Sequence, residues 1–271
     1  MTQPTIKLND GREIPQLGLG LWQTGAGEAA EVVSAAWQAG YRHFDTAAIY
    51  GNEAGVGQGL ADAPREEVFV TTKVWNDAQG FDATLRAARE SLKKLGMDYV
   101  DLYLIHWPTP RRELYVDTWR ALIRLKEEGL ARSIGVSNFM AEHIERIVAE
   151  TGVTPAINQI ELHPRFQQRA LRAFHAAHGI ATESWAPLGR SRFLDDPVIV
   201  RLATKHGRTP AQIVIRWHLD EGLVAIPKTV RRERLVENFD VFGFALDADD
   251  SAAMGALDRA DGRSGPDPMT F

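Results

Sequence analysis

Eight short apolar runs alternating with amphipathic stretches of helical length predict an α/β fold, a (β/α)8 barrel, for this chain of 271 residues. Two further features agree. Several runs are continuously apolar, as parallel strands covered on both faces are. No Pro-, Gly- or Ser-rich linker divides the chain, so residues 1–271 read as one domain. The main alternative is an open doubly wound sheet, which leads one to expect a G-x-G-x-x-G turn after the first strand. "LGLGLWQTG" lacks that spacing. So does "GVGQG" at 55–59, which lies where a short helix belongs and reads as close packing.

The elements follow in order. "TIKLNDGREIPQ" is a hairpin, with two short alternating runs around Asn9-Asp10-Gly11 and a strong Asp-Gly turn signal. Strands are expected at 16–20, 43–46, 68–73, 100–107, 132–138, 156–162, 181–188 and 223–229. Helices are expected at 28–39, 82–95 and 117–128, stopped by Gly40, Gly96 and Gly129. Others are expected at 141–150, 167–178, 197–206, 210–220 and 231–239, with Pro210 suited to a first turn. A last helix is expected near 247–259, and the tail "GRSGPDPMTF" reads as loosely held.

Composition narrows the function. A net charge of −5 with scattered arginines shows no footprint for nucleic acid. The absence of cysteine excludes disulfides, thiolate metal sites and a cysteine nucleophile. "MTQPTIKLND" has no signal-peptide pattern and no apolar run is long enough to span a bilayer, so no membrane partner is expected and the cytoplasm is the default location.

Active-site groups of such a barrel sit at the C-terminal strand ends. Here those ends carry Asp45, with Tyr50 in its loop, then Lys73 followed by Trp75, and His106-Trp107. Ser137-Asn138, Gln159 with Glu161, Trp185, and Lys228-Thr229 complete the set. Each alone has a bland reading: a snorkelling lysine, a structural histidine, a capping aspartate. Seven polar ends converging on one mouth need a mutual network, a ligand or both. A metal would have to use Asp45, His106, Glu161 and His163, which share no ligand spacing, so none is expected. Lys73 as a Schiff base leaves Tyr50 unexplained. The better reading makes Tyr50 an acid. A free phenol has a pKa of about 10, and an adjacent Lys73 ammonium, held by Asp45, is expected to lower it. His106 adds a second donor to an oxygen gaining charge. That set suits hydride addition to a carbonyl, with the hydride supplied by a cofactor. Ser137, Asn138 and Gln159 suit a carboxamide, and Trp185 suits a nicotinamide face. Lys228, Thr229 and Arg234, beside a helix start, suit phosphates and favour NADPH over NADH. Arg231 and Arg232 equally suit a solvated helix start.

Three stretches in order, "GYRHFDTAAIYGNE", "VDLYLIHWP" with "GLARSIGVSNF" downstream, and "IPKTVRRERLVEN", resemble the signature regions of the aldo-keto reductase family. The resemblance runs from about residue 5 to 260. Within the family, "LNDGREIPQLGLG", "AINQIELHP" and "TPAQIVIRWHL" are most similar to bacterial 2,5-diketo-D-gluconic acid reductases. The resemblance implies a TIM barrel whose base is closed by the hairpin, a monomer, and NADPH bound at the C-terminal mouth. It implies a catalytic tetrad of Asp45, Tyr50, Lys73 and His106. Cofactor contacts map to Ser137, Asn138, Gln159, Trp185, Pro187, Leu188, Lys228, Thr229, Arg234, Glu237 and Asn238. Trp22, Trp75 and Trp107 would line the pocket of a small carbonyl substrate, a sugar ketone or a dicarbonyl such as methylglyoxal. "GRSRFLDDP" is short for the subgroup, and the tail is short compared with relatives that fold it over the mouth, so both leave the substrate open. A non-catalytic sensor or structural protein of the same fold is the alternative, and the intact tetrad argues against it.

Overall fold

The computed structural model describes residues 3–271. A hairpin of β1 (Thr5–Lys7) and β2 (Glu13–Pro15) opens the chain, paired antiparallel with Ile6 opposite Ile14. Eight parallel strands follow: β3 (Leu19–Gly20), β4 (His43–Asp45), β5 (Phe69–Val74), β6 (Val100–Ile105), β7 (Ala131–Ser137), β8 (Ile157–Glu161), β9 (Ala181–Trp185) and β10 (Val224–Ala225). They pair in sequence order, and a parallel bridge between Leu17 and Ala225 joins the first to the last. Gly18 N–H donates to Ala225 O and Ala225 N–H donates to Gln16 O, so the barrel is closed. The predicted fold class is observed.

Helices α1 (Ala29–Ala39), α2 (Glu53–Gly59), α3 (Phe81–Leu95), α4 (Tyr115–Glu127), α5 (Ala141–Thr151) and α6 (Arg169–Ala177) follow β3 to β8 in turn. After β9 come α7 (Pro197–His206) and α8 (Pro210–Asp220), and after β10 come α9 (Arg232–Phe239) and α10 (Ala248–Gly255). Pro210 does stand in the first turn of α8, where the N-cap Thr209 and Gln212 form a reciprocal capping box. Gly40 ends α1 at φ 111°, where a Cβ would also come within 2.6 Å of Phe239. The glycines of α2 are packing residues, as expected. A Cβ on Gly57 would strike Leu95 O, and one on Gly59 would meet Ala30 O at 2.6 Å.

Strand parity decides what faces the barrel axis. Along β6, Leu102 and Leu104 point inward and pack with Phe69, Ile157 and Val224, while Tyr103 and Ile105 join the outer core beneath the helices. Leu8 and Ile14 of the hairpin join the inward cluster and seal the base. The inner apolar layer therefore occupies the bottom, and the next inward positions above it are polar.

Several expected bounds shift for identifiable reasons. The strand at 132–138 stops at Ser137 because Asn138 adopts φ 63°, and the one at 181–188 stops at Trp185 because Ala186 adopts φ 49°. The strands expected at 16–20 and 223–229 shrink to two residues each. Pro227 has no N–H to continue the ladder. The last helix ends at Gly255 rather than near 259. Among the described residues no helix is long and apolar enough to cross a membrane.

Candidate active site

Each functional side chain is placed by the parity that builds the barrel. Asp45, Lys73, Ser137, Gln159 and Trp185 are inward positions near the ends of β4, β5, β7, β8 and β9, and His106 directly follows β6. Lys73 is fully buried. Its Nζ donates to Asp45 Oδ1 at 2.5 Å and to Thr46 O at 2.9 Å. Tyr50 closes a single helical turn, Ala48–Tyr50. That turn is fastened by Asn52, also fully buried, which donates to Leu21 O and Thr24 O and accepts from Thr46 Oγ1. The Tyr50 hydroxyl thus stands 3.5 Å from His106 Nε2, and Lys73 Nζ lies 5.4 Å from the Tyr50 ring centre. Trp75 packs edge-on against His106 at 5.0 Å.

Burial governs the proton states. It pushes the Tyr50 phenol up to about 12, aided by Asp45, while Lys73 pulls the other way. The expectation that Lys73 leaves this phenol below its ordinary value is therefore corrected for the protein alone: the ammonium acts in the expected direction, and loss of water outweighs it. Burial, with Lys73 adding to it, holds His106 well below the ordinary histidine value, so the ring is neutral. Lys73 itself is raised, because Asp45 and Tyr50 together outweigh desolvation.

Asp45, Tyr50, Trp75 and His106 form the floor of a cleft of about 730 Å³, with Lys73 buried behind Asp45. Ser137, Asn138, Gln159, Trp185, Pro187, Leu188 and Lys228 line it, as do Trp22, Trp75 and Trp107. Asn138 Nδ2 donates to His106 O and to Ser137 Oγ at 3.0 Å each, and its Oδ1 accepts from Trp185 Nε1 at 2.8 Å. One asparagine thereby fixes the indole plane relative to the histidine. Of the eight non-glycine residues with positive φ among the described residues, five line this cleft: Gln23, Asn138, Ala186, Arg190 and Ser191. Such conformations cost of order 1–3 kcal/mol each and concentrate where a ligand is clamped.

Past β10, Lys228 lines the cleft, while Thr229, Arg234, Glu237 and Asn238 lie outside its lining. Thr229 is buried and its Oγ1 accepts from Arg231 N–H at the start of α9. Lys228 and Arg234 are exposed, and neither makes an ion pair among the described residues. Glu237 accepts from Thr209 Oγ1 at 2.8 Å, and Asn238 is buried. The donors fit a dinucleotide phosphate: two exposed cations with no ion pair among the described residues, at a helix start.

The tail overturns its expectation. Glu161, buried on the inward face of β8, accepts from Ser264 N–H at 2.8 Å, Ser264 Oγ, and Gly265 N–H at 2.9 Å. Pro266 consequently lines the cleft, and Phe271 packs on Trp107 with ring centres 4.6 Å apart. The ten-residue tail is short, yet it is held over the mouth because a carboxylate catches consecutive backbone donors. Those donors and His163 carry Glu161 down to about 2 against the effect of burial. Glu161→Ala is expected to speed amide hydrogen exchange at Ser264 and Gly265 at least tenfold, the loss of about 1.4 kcal/mol of protection. Exchange at the parent rate would show that Phe271 and Pro266 hold the tail unaided. Arg190, stacked 4.9 Å from the Trp22 ring centre, is a further wall residue that sequence reasoning passed over.

The fold and this floor of ammonium, carboxylate, phenol and imidazole define an oxidoreductase-type barrel. A family model described as the aldo/keto reductase family matches residues 16–259. The chain belongs to that family. It is 54% identical over 276 residues to methylglyoxal reductase DkgA of Escherichia coli strain K12, covering 100% of this chain and 99% of that one. It is 53% identical over 270 residues to an aldo-keto reductase of Mycolicibacterium smegmatis, covering 99% and 98%. A crystal structure of a point mutant of Gox0644 in complex with NADPH superposes with a TM-score of 0.98 at 57% identity, covering 100% and 99%. A Bombyx mori aldo-keto reductase in complex with NADP gives 0.89 at 41% identity, covering 95% and 94%.

Proposed function

We propose that this single-domain protein reduces small aldehydes, ketones and dicarbonyls to alcohols with NADPH, and that Tyr50 is the proton donor. The observation that carries this reading is the buried Lys73–Asp45 pair beneath a phenol and a neutral imidazole that converge on one point of the cleft floor. NADPH, when bound, supplies the hydride. The chain supplies everything else. Tyr50 and His106 would hydrogen-bond the substrate oxygen from two sides, and Tyr50 would give it a proton as negative charge grows there. Lys73 favours the phenolate left behind, and Asp45 holds Lys73 in place. Ser137, Asn138 and Gln159 would hold a carboxamide, with Trp185, Pro187 and Leu188 beside the ring. Thr229, Lys228 and Arg234 would take the phosphates, while Glu237 and Asn238 face the adenine end.

The walls bear on the substrate. Trp22, Trp75 and Trp107, with Ile49 and the tail's Pro266, give the entry largely apolar walls. Such an entry suits a compact dicarbonyl of the methylglyoxal kind, the substrate that the E. coli relative's name states, or an open-chain sugar ketone.

The test is NADPH oxidation against methylglyoxal, diketogluconate, an aromatic aldehyde and a simple ketone, with NADH in parallel. Turnover with NADPH on at least one carbonyl is expected. Arg234→Ala is expected to raise the KM for NADPH about tenfold while leaving that for NADH within about twofold. NADPH binding without turnover on any carbonyl would favour the non-catalytic alternative. An equal loss for both cofactors would remove Arg234 from the 2′-phosphate.

A further inference from the structure

Glu183 stands two residues before Trp185 on β9, with the same inward parity, and is fully buried. No role proposed above uses it. Its Oε2 accepts from Gln159 Nε2 at 3.0 Å, and the same nitrogen donates to Asp45 Oδ2 at 2.8 Å. An amide nitrogen has two hydrogens, so both are committed to carboxyl oxygens. The reversed amide would set its oxygen against the Asp45 carboxylate, and the site as built excludes it. Gln159 Oε1 accepts no hydrogen bond among the described residues, and Gln159 lines the cleft.

We propose that Glu183 is a positioning residue for the nicotinamide carboxamide: from behind the site it locks Gln159 with its amide oxygen free to accept from the cofactor. This rests on the NADPH reading above. The surrounding charges are consistent with it. His43 and Asp45 face Glu183 from β4, Lys73 from β5 and Tyr50 from the loop after β4, while β8 offers Gln159 and β10 apolar Val224. His43 Nε2 lies 3.6 Å from Glu183 Oε1, but burial takes that ring down to about 3, so it brings no charge. Among the described residues, Lys73 is thus the one cation facing these two carboxyl groups. Burial and Asp45 push Glu183 up to about 8. Folded Glu183 keeps its proton where an unfolded glutamate has lost it, so its contribution to stability is full below the ordinary glutamate range and is lost as pH rises through about 8.

Two variants test the proposal. Glu183→Gln keeps an acceptor for Gln159, and Glu183→Leu removes it. NADPH and 2′-phospho-ADP-ribose, which has no carboxamide, are titrated by tryptophan fluorescence. Glu183→Leu is expected to bind NADPH about tenfold more weakly than the parent and 2′-phospho-ADP-ribose equally well. Glu183→Gln is expected to bind both like the parent and to lose the decline of stability between pH 6 and 9. Parental NADPH affinity in Glu183→Leu, or an equal loss of both ligands, would overturn the proposal. A parent that fails to bind NADPH would instead overturn the cofactor reading on which it rests.

Discussion

A Tyr50→Phe variant is expected to bind NADPH as the parent does and to lose turnover by about 10²- to 10⁴-fold, the usual contribution of a positioned proton donor. The substitution removes one oxygen. Asn52, which fastens the Tyr50 loop, keeps its bonds to Leu21, Thr24 and Thr46, so the floor of the cleft should stay built. The pH dependence gives an independent handle. The acid must carry its proton, and in the cofactor-free protein burial holds Tyr50 protonated up to about 12. Since kcat/KM reports the free enzyme, no alkaline loss from Tyr50 is expected between pH 6 and 9. A limb in kcat alone, at lower pH than in kcat/KM, would show that the bound state lowers the phenol. Parental turnover in Tyr50→Phe would transfer the proton-donor role to His106 or to water.

The sequence carried the barrel and the cleft floor because both rest on a period of two. Asp45, Lys73, Gln159 and Trp185 share a parity with the inward Leu102 and Leu104, so polar ends of apolar runs could be assigned to one mouth. Glu183 has that same parity and was legible by the same rule. It was passed over because it sits one inward position below the strand end, between Thr182 and Ser184, and not at the end itself. The tail was misjudged for a different reason. Its composition is that of a loop, and what holds it is a long-range contact between Glu161 and the Ser264 and Gly265 backbone, which no local pattern announces. The net effect on Tyr50 also escaped. Sequence places a lysine beside a phenol, but only the packed structure shows how completely both have left water.

Lys73→Met should be the costliest single change in the site. The ammonium is fully buried and has two partners, Asp45 Oδ1 and Thr46 O. Removing one member of a buried ion pair typically costs about 3–5 kcal/mol, because the other charge is left behind. Asp45 would keep only the Gln159 amide at 2.8 Å. Burial already pushes Asp45 up, and Lys73 is the main force opposing that, so without Lys73 the carboxyl takes a proton. A folded carboxyl raised above its unfolded value contributes stability that is complete at low pH and lost as pH rises through the folded value. Urea unfolding should therefore show Lys73→Met losing stability from pH 5 to pH 8 more steeply than the parent, and Lys73→Met/Asp45→Asn losing it less steeply than the single variant. Turnover of the single variant should fall by about 10²-fold or more, since Tyr50 loses the neighbour that favours its phenolate. A single variant with the parent's pH slope would mean that Asp45 is not the charge Lys73 serves. The link from carboxylate to ammonium to phenol would then have to be redrawn through Glu183.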